Sequence, residues 1–268
     1  MTAPGEPRVW IVVPCYDEER RLDTDAFEGY LRSRHEIGFI FVNDGSSDGT
    51  LRVLSGIQDH FQARVRVIDQ QPNRGKAEAV RVGMLQGLDY GAAYCGYFDA
   101  DLATPLEALD ELIETLDTKS HIDIVVGARV ALLGREIERN ALRHYSGRFF
   151  AAAASLVLGL PIYDTQCGAK LFRSSAKIRE LFSRPFGSRW IFDVEILARY
   201  LVGPGREEGI YELPLKRWID KGESHVRPID FVRAVGEMVA ILREYRIETR
   251  YRAAARLLHR GRSRGTRA

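Results

Sequence analysis

The chain has 268 residues, of which 45% are hydrophobic, 28% are charged and 10% are aromatic. These proportions are close to globular averages and exclude a disordered, collagenous or fibrous protein. A chain of this length buries one substantial core, so we expect one domain with a C-terminal extension.

Charge is unevenly distributed along the sequence. The formal net charge is +2, but residues 243–268 contain nine arginines and two glutamates, so this tail carries +7 and the rest carries −5. A basic tail on an acidic body predicts that the tail meets an anionic surface. The N-terminus has no secretory signal, and Phe149–Leu160 is shorter than the roughly 20 apolar residues of a membrane span. With three dispersed cysteines, these features predict a cytoplasmic, reducing location without a transmembrane helix.

Strands and helices are predicted to alternate in the first half. Short apolar runs typical of parallel strands buried on both faces are Val9–Val13, Gly38–Val42, Arg64–Ile68, Tyr94–Phe98 and Asp123–Gly127. Helical patterns between them are Leu22–Ser33, Ser47–Phe61, Lys76–Tyr90 and Pro105–Leu116, with Pro105 in a first turn. This alternation predicts an α/β fold with a doubly wound, mostly parallel sheet.

The second half is predicted to complete the same domain. Beyond Ala128 the pattern is mostly helical, with a buried helix at Phe149–Leu160 and one strand candidate at Ile210–Leu215. Apolar residues recur at helical spacing at Phe231, Val235, Met238, Val239, Leu242 and Tyr245. We therefore divide the chain into a domain at 8–226 (halves 8–127 and 128–226), an amphipathic helical extension at 227–259 and a disordered basic tail at 260–268.

Polar segments follow the first four predicted strands. They read PCYDEE from Pro14, NDGSSDGT from Asn43, QPNRGKAEA from Gln71 and DADLATP from Asp99. Each alone is ordinary turn and capping chemistry. Parallel sheets bind ligands beyond the carboxyl ends of their strands, so four such segments on one edge indicate a binding site.

Asp99 and Asp101 are the sharpest feature of this edge. Two carboxylates one residue apart at a strand end can face one point, where a hard cation such as Mg²⁺ or Mn²⁺ takes oxygen ligands. The competing interpretation makes Asp101 the N-cap of the helix that follows.

The ordered blocks IVVPCYDEE, FVNDGSSDGT, NRGKAEAVRVGM, YFDADLATP, DTQCGAKLF and RWIFDVEILARY resemble glycosyltransferase family 2. Within it they are most similar to the dolichyl-phosphate and polyprenyl-phosphate hexosyltransferases, especially the β-glucosyltransferases. The resemblance runs from Val9 to Val226. It implies a GT-A fold: a single Rossmann-like domain with a mostly parallel central sheet, here followed by a helical C-terminal extension.

Site roles follow from this resemblance, position by position. It implies a nucleotide-sugar site formed by Pro14, Tyr16, Glu18, Asp44, Lys76 and Asp99, with Asp44 on the base or ribose. Asp99 and Asp101 would be the DxD pair that holds the divalent cation, Mg²⁺ or Mn²⁺. That cation would stabilise the negative charge of the departing diphosphate.

The acceptor side is implied by the later blocks. Arg129 matches an arginine near the acceptor phosphate, and Asp193 is the candidate base if the acceptor is a hydroxyl. Further acceptor-side candidates are Arg139, Arg143, Asp164, Gln166, Lys170, Lys221 and His225. For Arg139 and Arg143, solvated surface is the competing interpretation. Asp164, Gln166 and Lys170 are expected on one tight loop, Cys167 as a small buried residue, and Glu195 paired with an arginine.

Two positions depart from the family pattern. Ala103 stands where mannosyltransferase relatives often carry a metal-binding glutamine, which favours the glucosyltransferase branch. His225 stands where relatives usually carry a lysine, so a phosphate contact there is expected to be weaker or pH dependent, and Lys221 is the candidate that would compensate.

The predicted function is inverting transfer of glucose from UDP-glucose to a polyprenyl or dolichyl phosphate at the cytoplasmic membrane face. Alternatives are transfer to a hydroxyl, a GDP-mannose donor, or a noncatalytic nucleotide-sugar-binding subunit. The C-terminal helix would lie on an anionic bilayer, making the protein peripheral, or pack its apolar face on the domain. No specific nucleic-acid partner is expected, and the sequence leaves the oligomeric state open.

Overall fold

A computed structural model describes residues 6–138, 151–203, 205–221 and 233–245. Its strands are β1 (Val9–Cys15), β2 (Ile37–Asp44), β3 (Val65–Gln70), β4 (Tyr94–Phe98), β5 (Ile124–Ala128), β6 (Glu136–Glu138), β7 (Ala169–Arg173), β8 (Ile210–Pro214) and β9 (Arg217–Ile219). Its helices are α1 (Thr24–Ser33), α2 (Thr50–His60), α3 (Lys76–Asp89), α4 (Ala108–Thr118), α5 (151–158), α6 (Ala176–Phe182), α7 (Phe192–Val202) and α8 (233–245). The candidate residues Arg139, Arg143 and His225 lie outside the described residues.

The central sheet has seven strands in the order β3-β2-β1-β4-β7-β5-β8. Neighbouring strands in this sheet run parallel, except that β7 pairs antiparallel with both β4 and β5. β6 and β9 form a separate two-stranded parallel sheet. The predicted α/β fold with a mostly parallel sheet is confirmed.

Apolar burial on both faces explains the predicted strands. In β1, Val9 and Ile11 belong to one core cluster, whereas Trp10 and Val12 belong to the cluster on the other face. Successive strand residues point to opposite faces, so a strand covered on both sides must be apolar throughout. The five strands predicted in the first half all form, with ends shifted by at most two residues.

The four helices predicted in the first half also form, but α1 begins two residues later than predicted, and α2 and α4 begin three residues later. A turn follows Pro105, and α4 begins only at Ala108. The cap of α4 is Glu107, so the interpretation of Asp101 as a helix N-cap is wrong. Instead, Asp101 Oδ1 accepts a hydrogen bond from the Ala103 amide at 3.0 Å.

The prediction of mostly helical structure beyond Ala128 is wrong because it missed three strands. The structure contains β6, β7 and β9 there, and β7 lies inside the central sheet. The sequence AKLFR of β7 did not read as a buried strand because Lys170 interrupts its apolar pattern. Lys170 is nevertheless fully buried, held by partners described below.

The described part of the C-terminal helix packs on the domain. Ala234, Met238 and Tyr245 are buried in the core cluster that α7 also joins, whereas Val235 and Val239 on the same helix are exposed. Helix α5 is likewise one-sided, because Leu156 is 78% exposed, so the prediction of a wholly buried segment is wrong at that residue. Among the described residues, no helix has the length and apolar character needed to span a membrane.

Candidate active site

The loops after β1 and β2 interlock at one edge of the sheet. Asp17, which has a positive φ of 50°, donates its amide to Ser46 Oγ at 3.0 Å and accepts from the Ser47 amide at 2.8 Å. The Glu18 amide donates to Thr50 Oγ1 at 2.7 Å. Much of the polarity in these two sequence blocks therefore holds the loops together, as turn residues commonly do.

The predicted nucleotide-pocket residues of the first loop differ in exposure. Tyr16 is 50% exposed, Pro14 is half-buried and Glu18 is buried. Glu18 accepts from Arg21 at 2.6 Å. Only the Tyr16 ring offers a large accessible surface here, and its contact with a nucleotide stays a prediction.

Asp44 organises the loop that leads into α3. Its carboxylate accepts hydrogen bonds from Gln70 Nε2 at 2.6 Å, from the Arg74 amide at 2.8 Å and from the Gly75 amide at 2.7 Å. Asn73 Nδ2 donates to the Asp44 carbonyl at 2.8 Å. Asp44 thus shapes the approach to Lys76, and its predicted contact with the base or ribose stays a prediction.

Lys76, Asp99 and Asp101 form the charged centre of the site. Lys76 opens α3, and its Nζ pairs directly with Asp99 Oδ1 at the end of β4. Desolvation lowers the pKa of Lys76, but the attraction of Asp99, Asp193 and Asp101 outweighs it, so this pKa lies above its ordinary value.

The two carboxylates respond oppositely to this environment. Desolvation opposes ionisation of Asp99, but Lys76, and then Lys170 and Arg129, hold the pKa of Asp99 below its ordinary value. Desolvation and then repulsion from Asp99 raise the pKa of Asp101. The site therefore concentrates negative charge that one lysine only partly balances.

This arrangement fits a divalent cation shared with a ligand. Two carboxylates close enough to repel each other provide hard oxygen donors for such an ion. Within the described ranges, no group of three or more Asp, Glu, His or Cys side chains is placed to hold a metal ion. Asp99 and Asp101 would therefore hold such a cation together with oxygens of the ligand, as sites for nucleotide phosphates commonly do.

Gly168 permits the close packing of Asp99 against β7. A Cβ on Gly168 would overlap the Asp99 carboxylate. The Asp99 amide also donates to the Gly168 carbonyl at 3.1 Å. The sequence prediction missed Gly168, because only the pairing of β4 with β7 brings it to Asp99.

A buried ion pair lies next to this centre. Lys170 Nζ donates to Asp193 Oδ1 at 2.5 Å and to the Cys167 carbonyl at 2.6 Å. The Tyr97 hydroxyl donates to the same Asp193 oxygen at 2.5 Å. Lys170 was expected on a loop; it lies in β7, and its ammonium is used inside the protein. Tyr97 was missed because nothing in its apolar strand marks its hydroxyl as a partner.

Arg129 and Asp164 form a second, two-pronged ion pair. Arg129 Nε and Nη2 donate to the two Asp164 oxygens at 2.6 and 2.8 Å, and the guanidinium lies 5.2 Å from the Trp218 ring centre. Glu212 accepts from the Asp164 amide at 3.0 Å, which fixes this turn. Gln166 lies on it, since its amide donates to Asp164 Oδ1 at 3.2 Å.

The remaining candidates lie at the margins. Cys167 is buried and unoxidised, and desolvation raises the pKa of its thiol to about 11. Glu195 pairs with Arg199 at 2.7 Å, which confirms the arginine pairing expected from sequence. Lys221 lines a cleft of about 480 Å³ between α1 and the loop after Asp101, together with Arg217.

Parallel strands that converge on paired carboxylates, with a lysine at the start of the neighbouring helix, form a ligand-binding edge of the kind found in α/β enzymes. The sequence model of glycosyl transferase family 2 matches residues 10–179. The chain belongs to that family and is a glycosyltransferase with a GT-A fold.

Known proteins resemble the chain over most of its length. It is 32% identical over 251 residues to dolichyl-phosphate beta-glucosyltransferase ALG5C of Trichomonas vaginalis, covering 89% of the chain and 72% of that relative. It is 35% identical over 207 residues to the Drosophila melanogaster dolichyl-phosphate beta-glucosyltransferase, covering 70% of the chain and only 60% of that relative.

A solved structure shares the fold. Glucosyl-3-phosphoglycerate synthase of Mycobacterium tuberculosis, in complex with Mn²⁺, UDP-glucose and phosphoglyceric acid, superposes with a TM-score of 0.60 at 17% identity. The match covers 89% of this chain and 80% of that one.

Proposed function

We propose that this glycosyltransferase moves glucose from UDP-glucose to the phosphate of a polyprenyl lipid such as dolichyl phosphate. The names of the relatives support the sugar and the acceptor. The UDP-glucose and Mn²⁺ complex of the shared fold supports the donor and a divalent cation. The Lys76, Asp99 and Asp101 centre supplies charges suited to a nucleoside diphosphate.

The observation that carries the choice of acceptor is the buried contact of Lys170 with Asp193. Both Lys170 and Tyr97 donate to Asp193 Oδ1, so the negative charge of this carboxylate is already balanced by buried groups of the protein. A hydroxyl acceptor needs a positioned base to take its proton, whereas a lipid phosphate already carries an anionic oxygen. Because Asp193 is held in this ion pair, it is poorly placed to take a proton from a hydroxyl, and this favours the phosphate acceptor.

The reaction would be one in-line displacement with inversion. A phosphate oxygen of the acceptor forms a bond to the anomeric carbon as the bond from that carbon to the diphosphate breaks, and UDP leaves with the electron pair. A cation held by Asp99 and Asp101 would supply positive charge to the leaving diphosphate. Lys76 contributes charge at the same place.

Arg129 would orient the acceptor. Its Nε and Nη2 are held by Asp164, which leaves Nη1 without a carboxylate among the described residues. Guanidinium groups pair well with phosphate oxygens, and a guanidinium already fixed by one carboxylate loses little freedom on binding.

Attachment to a membrane surface would bring the enzyme to its acceptor. The nine arginines of residues 243–268 would each contribute about 1 kcal/mol near an anionic bilayer. We propose peripheral association through this basic segment, because the charge on the body of the protein is of the opposite sign.

A donor and acceptor screen tests the proposed function. Purified protein with Mn²⁺ or Mg²⁺ is incubated with labelled UDP-glucose or GDP-mannose, with and without a short polyprenyl phosphate, and label in the organic phase is measured. We expect label there only with UDP-glucose and the lipid. Asp99→Asn and Asp101→Asn should each lower the rate at least about 100-fold, whereas Asp89→Asn, an exposed carboxylate paired with Arg179, should not.

Each other outcome contradicts a defined part of the proposal. Label from GDP-mannose would replace the donor, and label on a soluble hydroxyl compound would replace the acceptor. An unchanged rate with Asp99→Asn would show that this centre is not the active site.

A further inference from the structure

Arg189 lies against the start of α3 but has no role in the mechanism above. Its Nη2 and Nε are 3.3 and 3.4 Å from the position that a Cβ on Gly75 would occupy. Gly75 has a φ of 92°, a conformation that favours glycine. The next residue is Lys76, whose ammonium contacts Asp99. The guanidinium therefore lies beside the residue that precedes Lys76 in the chain.

The charges around this point are not all paired within the protein. Lys76 pairs with Asp99, and Lys170 pairs with Asp193. No carboxylate of the described residues pairs with the Arg189 guanidinium, which is exposed to solvent. The Asp44 carboxylate already accepts from the Arg74 and Gly75 amides at this helix start, so the positive charge available to an anion here comes from the unpaired guanidinium, whose donors suit phosphate oxygens.

The backbone that carries Arg189 is fixed by the C-terminal helix. The Glu237 carboxylate accepts hydrogen bonds from Ser188 Oγ at 2.5 Å and from the amides of Arg189 and Trp190 at 3.2 and 3.1 Å. The Ile191 amide donates to Ser188 Oγ at 2.8 Å and lies 3.4 Å from the Glu237 carboxylate. Glu237, from another element, therefore fixes the turn that precedes α7 and carries Arg189.

We propose that Arg189 binds the diphosphate of the nucleotide-sugar donor and that Glu237, on α8, is the positioning residue that holds it there. This rests on the proposed function, because it assigns a residue to the donor of that reaction. It also gives the C-terminal helix a role in donor binding, apart from any role at a membrane.

The test compares binding of UDP with binding of uridine, which shares the base and ribose but lacks phosphate. The full-length chain with Mn²⁺ is titrated by calorimetry. Arg189→Gln should weaken the binding of UDP about ten- to one-hundredfold, the range for a charge-assisted contact, and should change the affinity for uridine by less than about twofold. Arg189→Lys should recover part of the loss. Arg179→Gln, an exposed arginine on α6, is the matched control and should change neither.

Glu237→Gln tests the positioning role. Glutamine has nearly the same shape but only one acceptor oxygen, so it cannot receive all the amides around 188–191. We expect the affinity for UDP to fall about three- to tenfold and the affinity for uridine to stay unchanged. The control Glu244→Gln, on the exposed side of α8, should bind both as the wild type does. Equal weakening of UDP and uridine by Glu237→Gln would mean general disruption and would overturn the positioning role.

The remaining outcomes separate this inference from the proposed function. If the wild-type protein binds UDP and Arg189→Gln binds it equally well, Arg189 is not a donor ligand. Loss of uridine and UDP to the same degree in Arg189→Gln would also overturn the inference. If the wild-type protein binds no nucleoside diphosphate, the proposed function itself is wrong.

Discussion

Replacing Lys170 by methionine removes one partner of the buried ion pair while nearly keeping the volume of the side chain. Lys170 is 0% exposed, and its ammonium satisfies both Asp193 and the Cys167 carbonyl. Removing one member of a buried pair costs about 3–5 kcal/mol, because the other charge stays buried. Tyr97 still donates to Asp193 in the variant, so we expect a loss near the lower end, about 3 kcal/mol.

Urea unfolding followed by circular dichroism measures this loss. The double variant Lys170→Met/Asp193→Asn should be more stable than Lys170→Met alone, because it removes the stranded charge. Lys216→Met is the matched control: Lys216 is 67% exposed and lies 3.2 Å from Glu111, so its loss should stay below about 1 kcal/mol.

The reasoning has two clear points of failure. A loss below about 1 kcal/mol for Lys170→Met would show that the pair behaves like a surface contact. A double variant no more stable than the single one would show that the stranded carboxylate is not the cause of the loss.

Two further predictions concern single contacts. Gly168→Ala should lower glucosyl transfer at least about 100-fold in a rate assay, because the new Cβ displaces Asp99. Gly56→Ala, which meets nothing in α2, should keep the rate and should not destabilise the fold; equal rates for the two variants would contradict this. A hydrogen bond from Arg34 lowers the pKa of Asp110, so their pair stabilises the fold above the ordinary aspartate pKa of roughly 4, and this effect is lost as pH falls through the lower pKa of the folded state. Arg34→Gln should therefore lower stability at pH 7, and this loss should shrink as the pH is reduced below roughly 4 in urea unfolding; a loss that is the same at every pH would refute it.

The first half of the fold was predictable because its strands are apolar throughout. The runs that form β1, β2 and β4 are buried on both faces, so the pattern needed no knowledge of neighbours. β7 was not predictable in this way. Its buried Lys170 is tolerated only because Asp193 lies opposite, and that partner comes from a helix further along the chain.

The site was predictable to a similar degree. Lys76, Asp99 and Asp101 stand directly at ends of elements, so their convergence follows from the parallel sheet alone. The hydrogen bond from the Gly75 amide to Asp44 could not be predicted from the sequence, because it depends on the path of the loop between them. Arg189 was missed for the same reason, since its place beside Gly75 depends on the packing of α8.

The position of β7 has a consequence for how the chain is made. Strand β4 pairs with β1 along one edge. Its other edge pairs with β7, which begins only at Ala169 and is therefore synthesised later. A nascent chain that has emerged only as far as β5 therefore presents an open strand edge, and such edges invite pairing between molecules. We expect fragments that end between residues 128 and 168 to aggregate, and a fragment extended through Arg173 to be more soluble. A shortened chain that contains residues 8–127 should therefore also include β7.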